Sequence, residues 1–308
     1  MDYQSIDPAT HRLFIAKMGA GQLLAFDIEH NNLVAQLDGF PKITGVLVVP
    51  ALHKGYASVP GAGFMPSVTI ALGVIGLSSG RGAIAIVDTQ TLKEIAKLPG
   101  GVFPDGIAYD PQDRRVFVSD ELGSAILVVD ADGNRLVAHI ALGGEVGNVQ
   151  YDPASGMIYA PIQSRNALAA IDPATLKVLA RRSLPGCAHP HGLAIAPGEA
   201  IGYIACDRND RLITVDLATN KILARQPVAH DPDVLAIDPN LRRLYVASES
   251  GNLSSFDITS ARAPRSLGDV FVGRDAHSVA VDPDSHRLYL PLADVGGRAA
   301  LRVLAPKL

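Results

Sequence analysis

Residues 104 to 144 read "PDGIAYDPQDRRVFVSDELGSAILVVDADGNRLVAHIALGG", and this stretch decides the fold. It holds four short runs of β-forming residues: "GIAYD", the alternating "RRVFVSD", "AILVVD" and "NRLVAHIAL". Turn-forming sequences rich in Asp, Gly, Pro and Asn separate these runs. The pattern therefore predicts four short antiparallel strands joined by tight turns.

The same frame recurs along the rest of the chain. Four clear copies follow it, and two more divergent copies precede it. A spacing of about 43 residues is typical of propellers and solenoids. The copies are "YQSIDPATHRLFIAKMGAGQLLAFDIEHNNLVAQL", "ITGVLVVPALHKGYASV" continued by "GAIAIVDTQTLKEIAKL", "GNVQYDPASGMIYAPIQSRNALAAIDPATLKVLARRSLPG", "PHGLAIAPGEAIGYIACDRNDRLITVDLATNKILARQPV", "PDVLAIDPNLRRLYVASESGNLSSFDITSARAPRSL" and "AHSVAVDPDSHRLYLPLADVGGRAALRVLAP".

Seven such repeats predict an all-β fold: a single-domain, seven-bladed β-propeller of four-stranded antiparallel blades. A two-sheet sandwich is the alternative, but a sandwich does not call for seven matching repeats. The 29 Gly and 21 Pro among 308 residues agree with a chain rich in turns and poor in helices. The predicted blades span residues 1–41, 42–101, 102–145, 146–187, 188–230, 231–273 and 274–308, with an insertion at 60–82 in the second.

Several motifs resemble the YVTN-repeat propellers of the YncE-like family: "IDPATHRLFIA", "YDPQDRRVFVSD", "AIDPATLKVLA" and "VDLATNKILA". The resemblance covers nearly the whole chain and implies the propeller fold. It implies less about function, because that family and its relatives include extracytoplasmic binding proteins, lactonase-type enzymes and members without an assigned role. The chain has no Trp, which departs from the WD-repeat and quinoprotein propellers, where Trp supplies blade contacts.

Charge and hydropathy disfavour several classes of partner. The net charge is −4 and no run of Lys and Arg occurs, so we do not expect binding to nucleic acid. No stretch reaches about 18 unbroken apolar residues, so no membrane span is expected. We find no phosphate loop, haem-attachment motif or Ser-His-Asp context, and we expect no nucleotide, haem or quinone cofactor. A monomer is expected.

The seventh unit ends on "ALRVLAPKL", which matches a third strand without a fourth. Related propellers often complete a blade with a strand from the opposite terminus, and "MDYQSIDPAT" supplies neither that strand nor a signal peptide. The family resemblance therefore suggests an N-terminal extension with an export signal and a closing strand, and hence a periplasmic or secreted protein. Otherwise we expect a cytoplasmic protein whose last blade has an exposed edge.

The insertion at 60–82, "PGAGFMPSVTIALGVIGLSSGRG", is much longer than the equivalent turns of the other blades. Long loops in compact folds are usually functional or disordered, and the apolar content disfavours disorder. A lid, a partner-docking surface and a hairpin packed on its own blade all remain open.

Two sets of aspartates recur at the turns of the repeats. Asx side chains commonly cap their own turns, so a set that recurs in nearly every blade indicates a structural role. The first set precedes Pro: Asp7, Asp110, Asp152, Asp238 and Asp282. The second set ends third strands: Asp88, Asp130, Asp172, Asp216 and Asp257.

One position in each blade is a candidate for chemistry. The loop into strand one and the loop between strands two and three lie at one edge of a four-stranded meander, here called the top face. The residues at this position are Asp2, Thr44, Asp105, Gly147, His191, Asp233 and His277. Imidazole and carboxylate groups suit a divalent cation or acid–base catalysis. The candidate ligands or catalytic groups are Asp105, His191, Asp233 and His277, although turn-capping and ordinary surface roles are equally open.

The segment "CAHPHGLAIAP", residues 187 to 197, raises a second metal hypothesis. Cys187, His189 and His191 occupy alternate positions, and the short Asp-Pro turn brings Cys206 near His191. Soft ligands of this kind are compatible with Zn or Cu. A disulfide between the two cysteines in an exported protein, or two unrelated thiols, are the alternatives.

Two functions from different classes follow. The first is a noncatalytic module that binds a small molecule or protein through the top face and the 60–82 loop. The second is a lactonase-like hydrolase or lyase that uses a divalent metal (Ca, Mg, Zn or Cu) at the candidate Asp and His residues. Further ligand-binding candidates on the top face are Lys17, Asp120, Glu121, Asp207, Glu249 and Asp294.

Overall fold

The computed structural model describes residues 1–61 and 82–306. The chain divides into two compact units, and each sheet lies within one of the segments predicted as blades. The first unit comprises Met1, Gln150–Ala170 and Ala180–Leu308, and the second comprises Asp2–Val149 and Ile171–Leu179. The predicted insertion at 60–82 lies almost entirely outside the described residues.

The second unit holds three four-stranded antiparallel sheets, each built from consecutive strands. Two short 3-10 helices connect strands there: η1 (Met18–Ala20) joins the second and third strands of the first sheet, and η2 (Pro50–Leu52) joins the first and second strands of the second sheet. The strands are β1 (Gln4–Asp7), β2 (Arg12–Lys17), β3 (Gln22–Asp27), β4 (Asn32–Asp38), β5 (Val46–Val49), β6 (Lys54–Val59), β7 (Gly82–Asp88), β8 (Lys93–Gly101), β9 (Pro104–Asp110), β10 (Arg115–Asp120), β11 (Ala125–Asp130) and β12 (Arg135–Ala141).

Four more sheets follow along the chain, and the last has three described strands, β25 to β27. The connecting 3-10 helices are η3 (Gln163–Arg165) and η4 (Asp207–Asn209). The strands are β13 (Gln150–Asp152), β14 (Met157–Ile162), β15 (Ala167–Asp172), β16 (Lys177–Ser183), β17 (Pro190–Ala196), β18 (Ile201–Cys206), β19 (Arg211–Asp216), β20 (Lys221–Pro227), β21 (Pro232–Asp238), β22 (Arg243–Ser248), β23 (Asn252–Asp257), β24 (Arg265–Phe271), β25 (Ala280–Val281), β26 (Leu288–Leu292) and β27 (Ala300–Leu304).

Burial explains why the second and third runs of each repeat are nearly continuous in apolar residues. In β10 and β11 almost every residue is buried, whereas the fourth strand β12 is mostly exposed. Strands covered on both faces need apolar side chains at both alternating positions. Adjacent sheets within each unit share apolar clusters, such as Tyr56 with Val118 and Tyr203 with Phe256.

The turn aspartates have the predicted structural role. The Asp7 carboxylate accepts the Ala9 N–H at 3.0 Å, and Asp88 accepts the Thr91 N–H at 2.7 Å. The same pattern holds at Asp110, Asp130, Asp152, Asp172, Asp216, Asp238, Asp257 and Asp282. Each carboxylate satisfies a turn N–H that no strand partner reaches.

Seven antiparallel sheets of consecutive strands confirm the predicted all-β, seven-bladed β-propeller. The seventh sheet also ends on a third strand among the described residues, as its sequence predicts. In residues 1–61 and 82–306, no helix has the length and apolar character needed to cross a membrane.

Cys187 and Cys206 form a disulfide across the entry to the fifth sheet. Both are buried in an apolar cluster with Leu184 and Leu193. The bond closes a loop with a sequence separation of 19 residues, and it therefore limits the freedom of the unfolded chain.

Reduction of this disulfide should lower the free energy of unfolding by about 3 kcal/mol, because a loop of this size regains its conformational entropy. Urea unfolding with and without dithiothreitol measures the change. The Cys187→Ala, Cys206→Ala double variant is the control and should not respond to the reductant. Equal stability of the oxidised and reduced wild type would contradict the stabilising role.

Candidate functional site

Three candidate residues of the first unit lie at the start of a first strand, or shortly before it, at the top face. His191 and Asp233 are the second residues of β17 and β21, and His277 precedes β25 by three positions. Glu249 directly follows the second strand β22. Because antiparallel neighbours run in opposite directions, the start of strand one and the end of strand two lie at the same edge.

A glycine lets two of these strands approach closely. A Cβ atom on Gly192 would lie 1.9 Å from the Asp233 carbonyl oxygen, so no larger residue fits without movement. The Val234 N–H donates to the His277 carbonyl at 3.3 Å, and this hydrogen bond links the sixth sheet to the segment that enters the seventh. These backbone contacts bring His191, Asp233 and His277 together.

The side chains form a chain of imidazoles and carboxylates. His191 Nε2 lies 3.1 Å from Asp233 Oδ1, and His277 Nδ1 lies 3.2 Å from Asp233 Oδ2. His277 Nδ1 is also 2.5 Å from Glu249 Oε1. The Asp233 side chain is 16% exposed and that of Glu249 is 44% exposed, so the cluster opens to solvent on the Glu249 side. We call His191, Asp233, Glu249 and His277 the His–carboxylate cluster.

Both ring nitrogens of His277 face oxygen atoms. Nε2 contacts the Met1 carbonyl, which can only accept a hydrogen bond, and Nδ1 contacts the two carboxylates. A doubly protonated imidazole satisfies all of these acceptors. A cation that replaces the Nδ1 proton satisfies them as well, because neutral imidazole nitrogen is a metal ligand.

The electrostatics of the cluster follow from burial and from this pairing. Burial raises the pKa of Asp233, but the adjacent imidazoles of His191 and His277 lower it more, and the net pKa lies below its usual range. Nearby Asp231 shows the opposite result. Burial and the charges of Asp207 and Glu249 raise the pKa of Asp231, which indicates a concentration of negative charge.

Three members of the cluster can hold a metal ion. One ligand atom each from Asp233, Glu249 and His277 lies within 4.8 Å of the others. This spacing permits all three to contact a single ion at metal–ligand distances of about 2.0 to 2.6 Å after small side-chain movements. Sequence reasoning placed Glu249 among ligand-binding residues but not among metal ligands. The sequence feature that could have identified Glu249 is its position at the end of a second strand, which lies at the same edge of the sheet as the candidate position at the start of the first strand.

Asp105 and the neighbouring candidates Asp2 and Thr44 lie in the second unit. Asp105 is buried, and its carboxylate lies 3.5 Å from the Tyr3 hydroxyl. Its carbonyl accepts the Ser58 hydroxyl at 2.6 Å. Thr44 donates to the Pro104 carbonyl at 2.8 Å, which indicates a structural role for that hydroxyl.

The disulfide removes two members of the soft-metal set. Because Cys187 and Cys206 are bonded to each other, neither sulfur is available as a thiolate ligand,. His189 turns to Asp207, with Nδ1 2.7 Å from Oδ2. The sequence left open a disulfide or two unrelated thiols, and the structure contains the disulfide.

Other top-face candidates hold turns. Asp120 is buried and accepts the N–H groups of Val102, Phe103 and Gly123 at 2.9, 2.8 and 3.2 Å. Asp294 accepts the Gly297 N–H at 2.6 Å.

The remaining two candidates contribute backbone at turns. The Glu121 carbonyl accepts the N–H of Val146 at 3.2 Å. Lys17 precedes η1 and its side chain makes no capping hydrogen bond to that helix.

Comparisons with known proteins support the fold but identify no family. No family model matches the chain, and no curated protein matches it in sequence. The fold is similar to a chain of hydrazine synthase from Kuenenia stuttgartiensis, with a TM-score of 0.79 and 16% identity over 98% of this chain and 95% of that one. A chain of the mitotic checkpoint complex has a TM-score of 0.78 and 10% identity, over 99% and 87%. Streptogramin B lyase has a TM-score of 0.72 and 11% identity, over 94% and 89%. At these identities the likeness shows the propeller fold alone.

Gly192→Ala should lower the free energy of unfolding by about 1 to 3 kcal/mol, because the added methyl group collides with the Asp233 backbone. Gly19→Ala is the matched control, since a Cβ there meets nothing within 4 Å. Urea unfolding of both variants provides the measurement. If the two substitutions have the same small effect, the close approach at Gly192 is not required.

Asp120→Asn should remove the loss of folding stability that ionisation of this buried carboxyl group causes. Burial raises the pKa of Asp120 above 3.8, although three N–H donors and His139 oppose the shift. The folded wild type therefore holds this proton more tightly than the unfolded chain, and its stability falls as pH rises from about 4 through the raised pKa. The stability of the variant relative to wild type should increase across this window. Urea unfolding at a series of pH values tests the sign, and a relative stability that decreases with pH would contradict it.

Proposed function

We propose that this protein binds a small oxygen-rich ligand at the top face of its first unit through a divalent cation. The observation that supports this proposal is the convergence of Asp233, Glu249 and His277 within 4.8 Å. Asp233 and Glu249 come from strand ends of the sixth sheet, and His277 comes from the segment before β25 of the seventh. A cation with three protein ligands retains open positions for water or for a ligand oxygen.

The donor set narrows the choice of ion. Two carboxylates and one imidazole form a mixed oxygen and nitrogen set, and they suit Zn²⁺ better than Cu(I), which prefers sulfur. The bonded cysteines leave this set without thiolate. Mg²⁺ and Ca²⁺ prefer oxygen ligands alone, so His277 makes them weaker candidates.

Binding of a cation should displace a proton. His277 Nδ1 faces Asp233 and Glu249 while Nε2 faces the Met1 carbonyl. A cation at Nδ1 therefore replaces a hydrogen that the two carboxylates otherwise accept. His191 Nε2 lies 3.1 Å from Asp233 Oδ1, whereas His277 faces the other oxygen of that carboxylate. His191 orients that carboxylate as an outer-shell partner.

A catalytic role is the second candidate, and the position of His191 favours it. Its imidazole lies beside a carboxylate that would hold the cation, and the pair combines a Lewis acid with an acid–base group. A lactonase-like hydrolase or a lyase uses this combination to activate a carbonyl compound. The propeller of streptogramin B lyase has the same fold, which supports retaining a lyase as the alternative.

The proposal includes an extracytoplasmic location, periplasmic or secreted, and membership of the YncE-like family. The disulfide supports the location, because such bonds persist in oxidising compartments,. The repeated motifs exemplified by "AIDPATLKVLA" support the family.

Isothermal titration with Zn²⁺, Mg²⁺, Ca²⁺ and Cu²⁺ tests the cation site. Wild type should bind about one equivalent of Zn²⁺, and Glu249→Gln or His277→Gln should weaken binding by at least about tenfold, because each removes a ligand. Titration in buffers of different ionisation enthalpy should reveal release of about one proton.

Asp294→Asn is the matched control, since this exposed carboxylate caps a turn outside the cluster. It should bind Zn²⁺ like wild type. Metal-free wild type that takes up none of the four ions would refute the cation site. His191→Gln separates the two functions: it should leave most of the Zn²⁺ affinity in place while abolishing turnover of a lactone or lyase substrate, if turnover is found.

A further inference from the structure

The fifth and sixth sheets begin with the same backbone turn, here called the entry turn. His189 and Asp231 each precede a proline and have φ values of 57° and 60°. Their carbonyl groups accept a hydrogen bond from the residue that follows the second strand: the Asp207 N–H donates to His189 at 3.2 Å, and the Glu249 N–H donates to Asp231 at 2.8 Å. A register shift follows the proline in both first strands. The side chains of the two turns can therefore be compared position by position.

Complementary side chains hold the entry turn of the fifth sheet closed. His189 Nδ1 lies 2.7 Å from Asp207 Oδ2. The disulfide acts on the same two segments, because Cys187 lies two residues before His189 and Cys206 directly precedes Asp207. A hydrogen bond between imidazole and carboxylate and a covalent bond thus restrain the turn before His191.

The sixth sheet has two carboxylates at the matching positions. Asp231 and Glu249 directly follow the pair of Pro232 with Ser248 and face each other across the entry turn. Like charges directly opposite each other on antiparallel strands destabilise the pairing. Burial and the charges of Asp207 and Glu249 raise the pKa of Asp231, as expected where carboxylates crowd together. Repulsion between these side chains therefore works against closure of this turn.

A cation in the His–carboxylate cluster would remove this conflict. Glu249 is one of its three candidate ligands, and Asp233, two residues after Asp231, is another. A divalent ion held by these two carboxylates neutralises the charge that faces Asp231. It would supply the positive charge that the imidazole of His189 can supply at the matching position of the fifth sheet.

The entry turn also borders the third ligand. The Val234 N–H, three residues after Asp231, donates to the His277 carbonyl at 3.3 Å. The first strand of the seventh sheet, β25, pairs over only two residues, Ala280 and Val281. The position of His277 therefore depends on its contacts with the sixth sheet as well as on its own strand.

We propose that the cation closes the entry turn of the sixth sheet, and that Asp231, a neighbour of the ligands, makes this closure depend on the cation. The inference rests on the cation site proposed above and adds an order to its function. In the metal-free protein this turn opens more often than its counterpart in the fifth sheet. The cation binds the closed form more tightly and shifts the population toward it. The site is then complete only after the cation has bound, and the oxygen-rich ligand binds second.

Hydrogen exchange resolved to single amides measures the opening. The reporter is the Glu249 N–H, which donates to Asp231, and the reference is the Asp207 N–H, which donates to His189. After correction for intrinsic rates, the Glu249 amide of EDTA-treated wild type should exchange about tenfold faster than the Asp207 amide. Saturation with Zn²⁺ should slow the Glu249 amide about tenfold and leave the Asp207 amide unchanged.

A variant separates the effect of Asp231 from that of the ligands. Asp231→Asn removes one of the two facing charges and retains a residue type that tolerates positive φ. In the metal-free protein it should slow exchange of the Glu249 amide about threefold, and the further effect of Zn²⁺ should shrink by the same factor. Asp275→Asn is the matched control, because Asp275 has a φ of 55° in the segment before the seventh sheet. It should leave the Glu249 amide as in wild type.

The outcomes distinguish this inference from the cation site itself. If isothermal titration shows that Zn²⁺ binds but exchange at Glu249 does not slow, the inference is overturned and the cation site stands. Equal exchange at Glu249 in metal-free wild type and Asp231→Asn would also overturn it, because repulsion would then not open the turn. Failure of the wild type to bind any of the four ions would refute the cation site and this inference together.

Discussion

Burial of both faces of the second and third strands is the constraint on which this structure depends. A four-stranded sheet that is apolar on one face only can bury that face against a single neighbouring layer. Here strands such as β10 and β18 are buried along nearly their whole length, so each sheet requires apolar neighbours on both sides. The repeats supply them, and the cost of ordering each short strand is offset by shared clusters rather than by contacts within the strand.

The candidate site is a consequence of the same packing. Sheets that pack closely bring the starts of their first strands together, and Gly192 allows the backbone to approach Asp233 without a steric conflict. His191 and Asp233 are therefore held by the first residues of strands, and His277 is held by the hydrogen bond between its carbonyl and the Val234 N–H. Rigid placement matters because a buried carboxylate is tolerated only when neighbouring groups compensate its charge. The imidazoles do so here, and they keep the pKa of Asp233 low despite burial.

Two edges of the molecule thus have different chemistry. The top face of the first unit concentrates carboxylates and imidazoles, which suits a cation. The seventh sheet, which ends on β27 among the described residues, instead borders a cavity lined by Leu253, Leu288 and Leu304.

The sequence by itself determined the class of fold, the number of repeats and the structural role of the turn aspartates. These features are local: period-two alternation, turn chemistry and repeat spacing are all written in consecutive residues. It also identified His191, Asp233 and His277 as occupants of one position in the repeat. The proximity of Glu249 to Asp233 and His277, the bond between Cys187 and Cys206, and the burial of Asp120 under three N–H donors were decided only by the tertiary structure. Each depends on distances between segments that are far apart in the chain or joined by turns of unpredicted geometry, and a one-residue change in register moves a side chain to the opposite face.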